Sequence, residues 1–166
     1  MTQFLQVLAV LLVAVAMALT LAHALELPGK LRLPKEQYLE VQPIYYPGFT
    51  IGGIAEPAGL LALFVLLFYL PAGSTPFWLT VGAFVALAVM HTAYWLLTHP
   101  VNNFWLKDFQ LKGLGARFFA VGTAEQAGDH TPADWMVLRD RWEYSHVLRA
   151  MLGFTSLALL ATAVAE

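Results

Sequence analysis

The run Arg139-Asp-Arg-Trp-Glu-Tyr-Ser-His146-Val-Leu-Arg149 carries more charge per residue than any other part of the chain and leads straight into an apolar segment, 150–165. At 100° per residue, Trp135, Arg139, Trp142, His146, Arg149 and Gly153 share one helical face. Such a face suits proton transfer with charge stabilisation. His146 would be a general base, Arg149 the cation that meets a developing oxyanion, and Trp142 a wall for an aromatic substrate. Other segments offer matching groups. Glu56 precedes Pro57 in an apolar stretch, His91, Trp95, Thr98 and Asn102 recur at helical spacing, and His23 closes the first apolar segment. Each also has an ordinary structural reading. His146 with Arg149 can snorkel to headgroups, and Glu56 can hold Arg149 or cap backbone freed by Pro57. His91 can hydrogen-bond between helices, and His23, Trp95 and Trp142 can sit at a membrane interface.

The sequence names no cofactor. Glu143-Tyr-Ser-His146 has the Glu-x-x-His spacing of di-iron helical bundles, but those use two such pairs with two further glutamates, and only one copy is present. A two-histidine, one-carboxylate iron site from His91, His146 and Glu56 is open on residue type. So is haem held by two histidines, such as His91 with His146 or His23. Neither has a motif behind it, and no metal is assigned. The chain has no cysteine, which excludes disulfides, thiolate metal sites and cysteine nucleophiles. The sequence contains no phosphate loop, nucleophile elbow or zinc-protease motif, and no basic face points to nucleic acid.

The elements that must carry these groups are membrane spans. Of 166 residues, 59% are hydrophobic and 12% charged, and mean hydropathy is +0.65, a composition of integral membrane proteins. Spans are expected at about 4–25, 49–70, 77–99 and 146–165, the last on a helix that starts near 132, each long enough for a hydrocarbon core of roughly 30 Å. The first has no Lys or Arg before it and exceeds the core of a secretory signal, so it is expected to stay as a span. Starting the second at Pro57 would leave a helix of roughly 21 Å, too short to cross, which puts Glu56 inside the span beside a kink. Residues 26–47 are expected to form a proline-broken loop, and the third span to end against Pro100. Residues 104–119 alternate aromatics with Lys107, Lys112 and Arg117, as expected of a segment lying at the membrane surface. Thr131-Pro132-Ala-Asp134 reads as a helix start.

The expected fold is all-α, an integral membrane four-helix bundle with N and C termini on the same side. All nine Lys and Arg residues lie in or beside the two long connections, which assigns those connections to the cytoplasm. This topology brings His23, Glu56, His91, His99, His146 and Arg149 into the cytoplasmic half. Ionisable groups within a bilayer are costly and usually face protein, so a polar pocket is expected there.

Several stretches together carry a resemblance: His23-x-x-Glu-Leu-Pro28 with Lys30, Glu56-Pro57, His99-Pro-Val-Asn102, and Trp135 followed by Arg139-x-Arg-Trp-Glu-Tyr-Ser-His146-x-x-Arg149. The chain resembles the anthrone-oxygenase-like family of small four-span membrane proteins over nearly its whole length. Most bacterial members of that family have no assigned function, and the location expected for this chain is a bacterial inner membrane. It also implies an oxidoreductase, because the fungal members are associated with oxidation of anthrones to anthraquinones without an established cofactor. The matching positions for a site are Asn102, Trp142, His146 and Arg149.

The leading reading is a membrane-embedded oxidoreductase, an oxygenase of a lipophilic aromatic or quinone-like substrate. His146, Arg149, Glu56 and Asn102 would do the chemistry, and Trp95, Trp142, His91 and His23 would line the substrate site. A non-catalytic accessory or assembly subunit and a haem-binding electron carrier are the alternatives. The partners implied are membrane lipid and a lipophilic small molecule, with a membrane protein partner or a second copy of the chain left open.

Overall fold

The structure, a computed structural model, describes residues 1–45, 48–105 and 134–166. The expected surface segment beyond residue 105 and the Thr131-Pro132 helix start lie outside them. Every element among the described residues is helical: α1 (Thr2–Lys30), α2 (Lys35–Val41), a 3-10 turn (Gln42–Tyr45), α3 (Gly48–Gly53), α4 (Ala55–Leu67), α5 (Thr75–Ala93), a π-helical turn (Tyr94–Thr98), α6 (His99–Trp105) and α7 (Asp134–Ala165). Four stretches are long and apolar enough to cross a membrane: Thr2–Lys30, Gly48–Leu67, Thr75–Asn102 and Trp135–Ala165.

The prolines do less breaking than expected, and the loop expected over 26–47 is corrected. α1 runs through Pro28 into its last turn. Pro34 serves as the residue before α2, and Pro43 lies in the first turn of the 3-10 segment. Near a helix start a missing N–H costs nothing, because that donor has no intrahelical acceptor. Pro100 likewise fails to end the third long helix, which continues to Trp105. Pro100 has no N–H for the carbonyl of Leu96, four residues earlier, and that oxygen accepts from Arg141 Nη2 at 2.7 Å instead. Pro57 does interrupt its segment. It offers no donor to the carbonyl of Gly53, Ile54 turns tightly with its N–H on Ile51 O at 3.2 Å, and α4 restarts at Ala55 with Glu56 in its first turn. The turn before α5 uses Gly73 at φ 82°, a left-handed conformation that favours glycine, and Ser74 then caps α5 by accepting from Phe77 N–H at 3.3 Å.

α1 packs against α4 and α7, and α5 packs against the same two helices. Their shared core is small and aliphatic, centred on Val13, Leu63, Leu66, Leu87, Met90 and Leu160. The outward faces are apolar too, with Leu11, Leu61, Phe68 and Phe154 exposed. Small residues let backbones approach. At Gly153 on α7, a Cβ would lie 3.1 Å from Met17 Cα and 3.2 Å from Met90 Sδ. The first of these is backbone of α1 and cannot swing away. Gly153→Val is therefore expected to cost about 1–3 kcal/mol by forcing α1 and α7 apart, measured by reversible unfolding in mixed micelles. Gly29→Val, where nothing lies within 4 Å of the added Cβ, serves as the control for helix propensity.

Candidate functional site

One cavity collects the polar groups that the helices carry at this end. About 90 Å³ of it is open to the centres of water molecules, room for several waters or a compact organic ring. It is lined by His23 of α1, Glu56 of α4, His91 of α5, Asn102 of α6, and Trp142, His146 and Arg149 of α7. Ala16, Leu19 and Phe49 supply apolar wall.

Its floor is an ion pair. Arg149 Nη2 donates to Glu56 Oε2 at 2.6 Å, and both side chains are buried. Glu56 Oε1 takes a second bond from His91 Nδ1 at 3.2 Å. The indole of Trp95 donates to His91 Nε2 at 3.0 Å. An indole N–H only donates, so His91 must accept at Nε2 and donate from Nδ1. Both nitrogens of the imidazole are engaged in this arrangement. Arg149 also lies over the Tyr94 ring, 5.0 Å from its centroid, while its buried Nε has no hydrogen-bond partner among the described residues. A buried carboxylate facing one guanidinium and one imidazole is satisfied as an anion and locks α4, α5 and α7 to one another.

The middle layer is imidazole and indole. His146 Nδ1 lies 2.9 Å from the carbonyl oxygen of Trp142. A carbonyl only accepts, so Nδ1 carries the proton and Nε2 carries the lone pair. The same carbonyl accepts from Ser145 Oγ at 2.6 Å, and Ser145 in turn accepts from Thr98 Oγ1 at 2.8 Å. Trp142 is fixed at its other end by donating from Nε1 to Asn102 Oδ1 at 2.8 Å. The His146 ring packs on Trp142 and on His23, each at a centroid distance of 4.2 Å. His23 and His146 are thus in ring contact. Among the described residues, no group of three His, Asp or Glu side chains is placed to hold a metal ion.

The roof comes from the segment expected to be a loop. Lys30, two helical turns beyond His23, is buried with Nζ 3.3 Å from His23 Nδ1, 3.0 Å from Glu26 and 3.5 Å from Glu143. It also stands over the rings of Tyr45 and Trp142, 4.7 and 5.1 Å from their centroids. Tyr38 donates to Glu143 at 2.8 Å, and Tyr45 donates to Glu26. Burial first, then the neighbouring carboxylates, pushes both phenols well above their ordinary range, so both remain donors throughout physiological pH. Gln42, one 3-10 turn before Tyr45, is buried against the cavity and its Nε2 has no partner among the described residues.

Seven of the eight residues singled out from the sequence line this cavity, and Trp95 does not. It stands 43% exposed and reaches the site through His91 and the ring of Tyr94, the latter at a centroid distance of 5.3 Å. The π-helical turn explains this: the N–H of His99 bonds back five residues to Tyr94 O, the 100° spacing is interrupted there, and Tyr94 faces the cavity on that turn. Glu56 holds Arg149 and His91; no bond from it to His146 is present among the described residues. Thr98, on the face read with His91 and Asn102, lines the cavity too, and Gln42, Tyr45 and Tyr94 line it without having been singled out. Lys30 is legible only once α1 is continued through Pro28, which puts it on the face of His23. The chain matches no family model, and neither a curated protein nor a solved structure matches it significantly.

Proposed function

We propose that the protein is a membrane-embedded four-helix bundle, with its long connections cytoplasmic and both termini on the other side, acting as an oxidoreductase on a lipophilic aromatic substrate. The substrate class is an aromatic ketone or phenol with an activated methylene, and the oxidant is dioxygen. His146 Nε2 removes a proton from the methylene, and the oxyanion that forms faces Arg149, with Asn102 and Trp142 fixing the ring. The carbanion adds to dioxygen, one oxygen atom becomes the new carbonyl, and the other leaves as water with the two methylene hydrogens. One CH₂ and one O₂ thus become one C=O and one H₂O.

A single observation carries the reading. A histidine pinned at Nδ1 by a backbone carbonyl offers its basic nitrogen in the same cavity as a guanidinium whose Nε has no partner among the described residues. The resemblance noted above, through Asn102, Trp142, His146 and Arg149, agrees with this chemistry. Purified protein in lipid nanodiscs, given anthrone in air, is expected to consume oxygen and form anthraquinone one to one, faster than protein-free nanodiscs. Rates equal to the blank for anthrone and for hydroxylated anthrones would remove the proposal.

A further inference from the structure

The seam between α4 and α5 is filled along much of its length and empty where it meets the cavity. Phe64 of α4 packs on Phe84 of α5 with ring centroids 6.3 Å apart. Nearer the cavity a Cβ on Gly59 would lie 3.2 Å from Leu87 Cδ2, and Glu56 Oε1 is 3.2 Å from His91 Nδ1. Gly53 comes one turn before Glu56. Ile54 keeps helical angles, φ −61° and ψ −26°, so the 100° spacing carries across the break and places Gly53 on the same flank as Leu60 and Phe64, turned toward α5. Gly53 lines the cavity, yet among the described residues nothing stands within 4 Å of a Cβ added there. The facing edge is open too, since His91 keeps 28% of its side chain exposed against 6% for the Glu56 it bonds. Both edges belong to stretches long and apolar enough to cross a membrane, Gly48–Leu67 and Thr75–Asn102. Toward the connections the cavity is braced instead: Tyr38, fully buried, donates to Glu143, and Tyr45 donates to Glu26.

We infer that the cavity is loaded sideways from the bilayer, through a slot between α3 and the end of α5, and that Gly53 is the specificity-determining residue that sets the width of that slot. The molecules it admits are uncharged, flat aromatics dissolved in lipid, which pass edge-on between two helices without parting them. This rests on the reading of the cavity as the site of a lipophilic aromatic, and it adds the route of entry and the residue that limits it. The backbone does not call for glycine at this position. Gly73 alone takes a positive φ among the described residues, and glycine weakens a helix relative to alanine. What the missing side chain leaves at Gly53 is open space beside the cavity.

The test follows anthrone under argon, where dioxygen cannot react, as it enters and leaves full-length protein in nanodiscs, read by stopped-flow quenching of tryptophan fluorescence. Gly53→Leu is expected to slow association and dissociation together, each about tenfold, so that Kd stays within about threefold. Gly53→Ala should slow both by less and raise the unfolding midpoint. Tyr38→Phe loosens the roof and leaves the seam alone, so it should keep both rates within about twofold. Unchanged rates in Gly53→Leu, affinity lost at an unchanged association rate, or a lowered midpoint in Gly53→Ala overturns the inference. So does exchange set by Tyr38→Phe in place of Gly53→Leu, or a wild-type protein that anthrone does not quench saturably. A protein that exchanges anthrone past Gly53 yet never oxidises it in air upholds this inference while the oxygenase reading fails. One that oxidises anthrone and shows unchanged exchange in Gly53→Leu does the reverse.

Discussion

Replacing Arg149 with Leu is expected to destabilise the protein by about 3–5 kcal/mol, because it leaves the Glu56 carboxylate buried without its cation. Arg149 Nη2 sits 2.6 Å from Glu56 Oε2, and the remaining partner is His91 Nδ1 at 3.2 Å. The double variant Glu56→Gln with Arg149→Leu should recover most of the loss. A carboxamide oxygen still accepts from His91 Nδ1, and no charge is left in the core. The measurement is a double-mutant cycle by equilibrium unfolding in mixed micelles. If the single and double variants are equally unstable, Arg149 stabilises through packing on Tyr94 rather than through the ion pair, and the floor of the cavity is misassigned. Both variants should lose oxidation of the substrate, so stability and activity part company in the double variant alone.

The four long apolar stretches were legible in the sequence because length and apolarity are bulk properties that local chemistry barely alters. Their ends were not. Pro28 and Pro100 read as stops, yet Lys30 is secured by the carboxylates of Glu26 and Glu143 and Leu96 O by Arg141. Such tertiary satisfaction of a proline defect leaves no local mark. Which face of each helix turns inward was also unreadable from apolarity, since Leu11 and Val13 on α1 are equally apolar while one is exposed and the other buried. Polar residues resolved it. An ionisable group in a span must find protein, which is why His23, Glu56, His91, His146 and Arg149 converge without any motif to announce them. The rule is silent about residues outside spans, so Gln42 and Tyr45, in a stretch taken for loop, escaped it. Trp95 was assigned by a periodicity that the π turn does not keep.

His146→Gln should lower the rate of substrate oxidation by about 10²–10⁴-fold while leaving ligand affinity within a few-fold. Glutamine keeps a polar side chain near the Trp142 carbonyl but has no nitrogen lone pair to take a proton, so the wall of the cavity persists and the base is gone. His146→Ala goes further by opening space at the same point, and added imidazole should restore part of its rate in proportion to concentration. A histidine that only braces Trp142 would behave differently. Its removal would weaken binding and lower the unfolding midpoint together, and free imidazole would restore neither. His23 gives the internal contrast, because its Nδ1 accepts from Lys30 and its ring packs 4.2 Å from His146. His23→Gln removes that support without removing the base and should cost less than His146→Gln. If the two substitutions slow oxidation equally, and imidazole rescues neither, proton removal does not belong to His146.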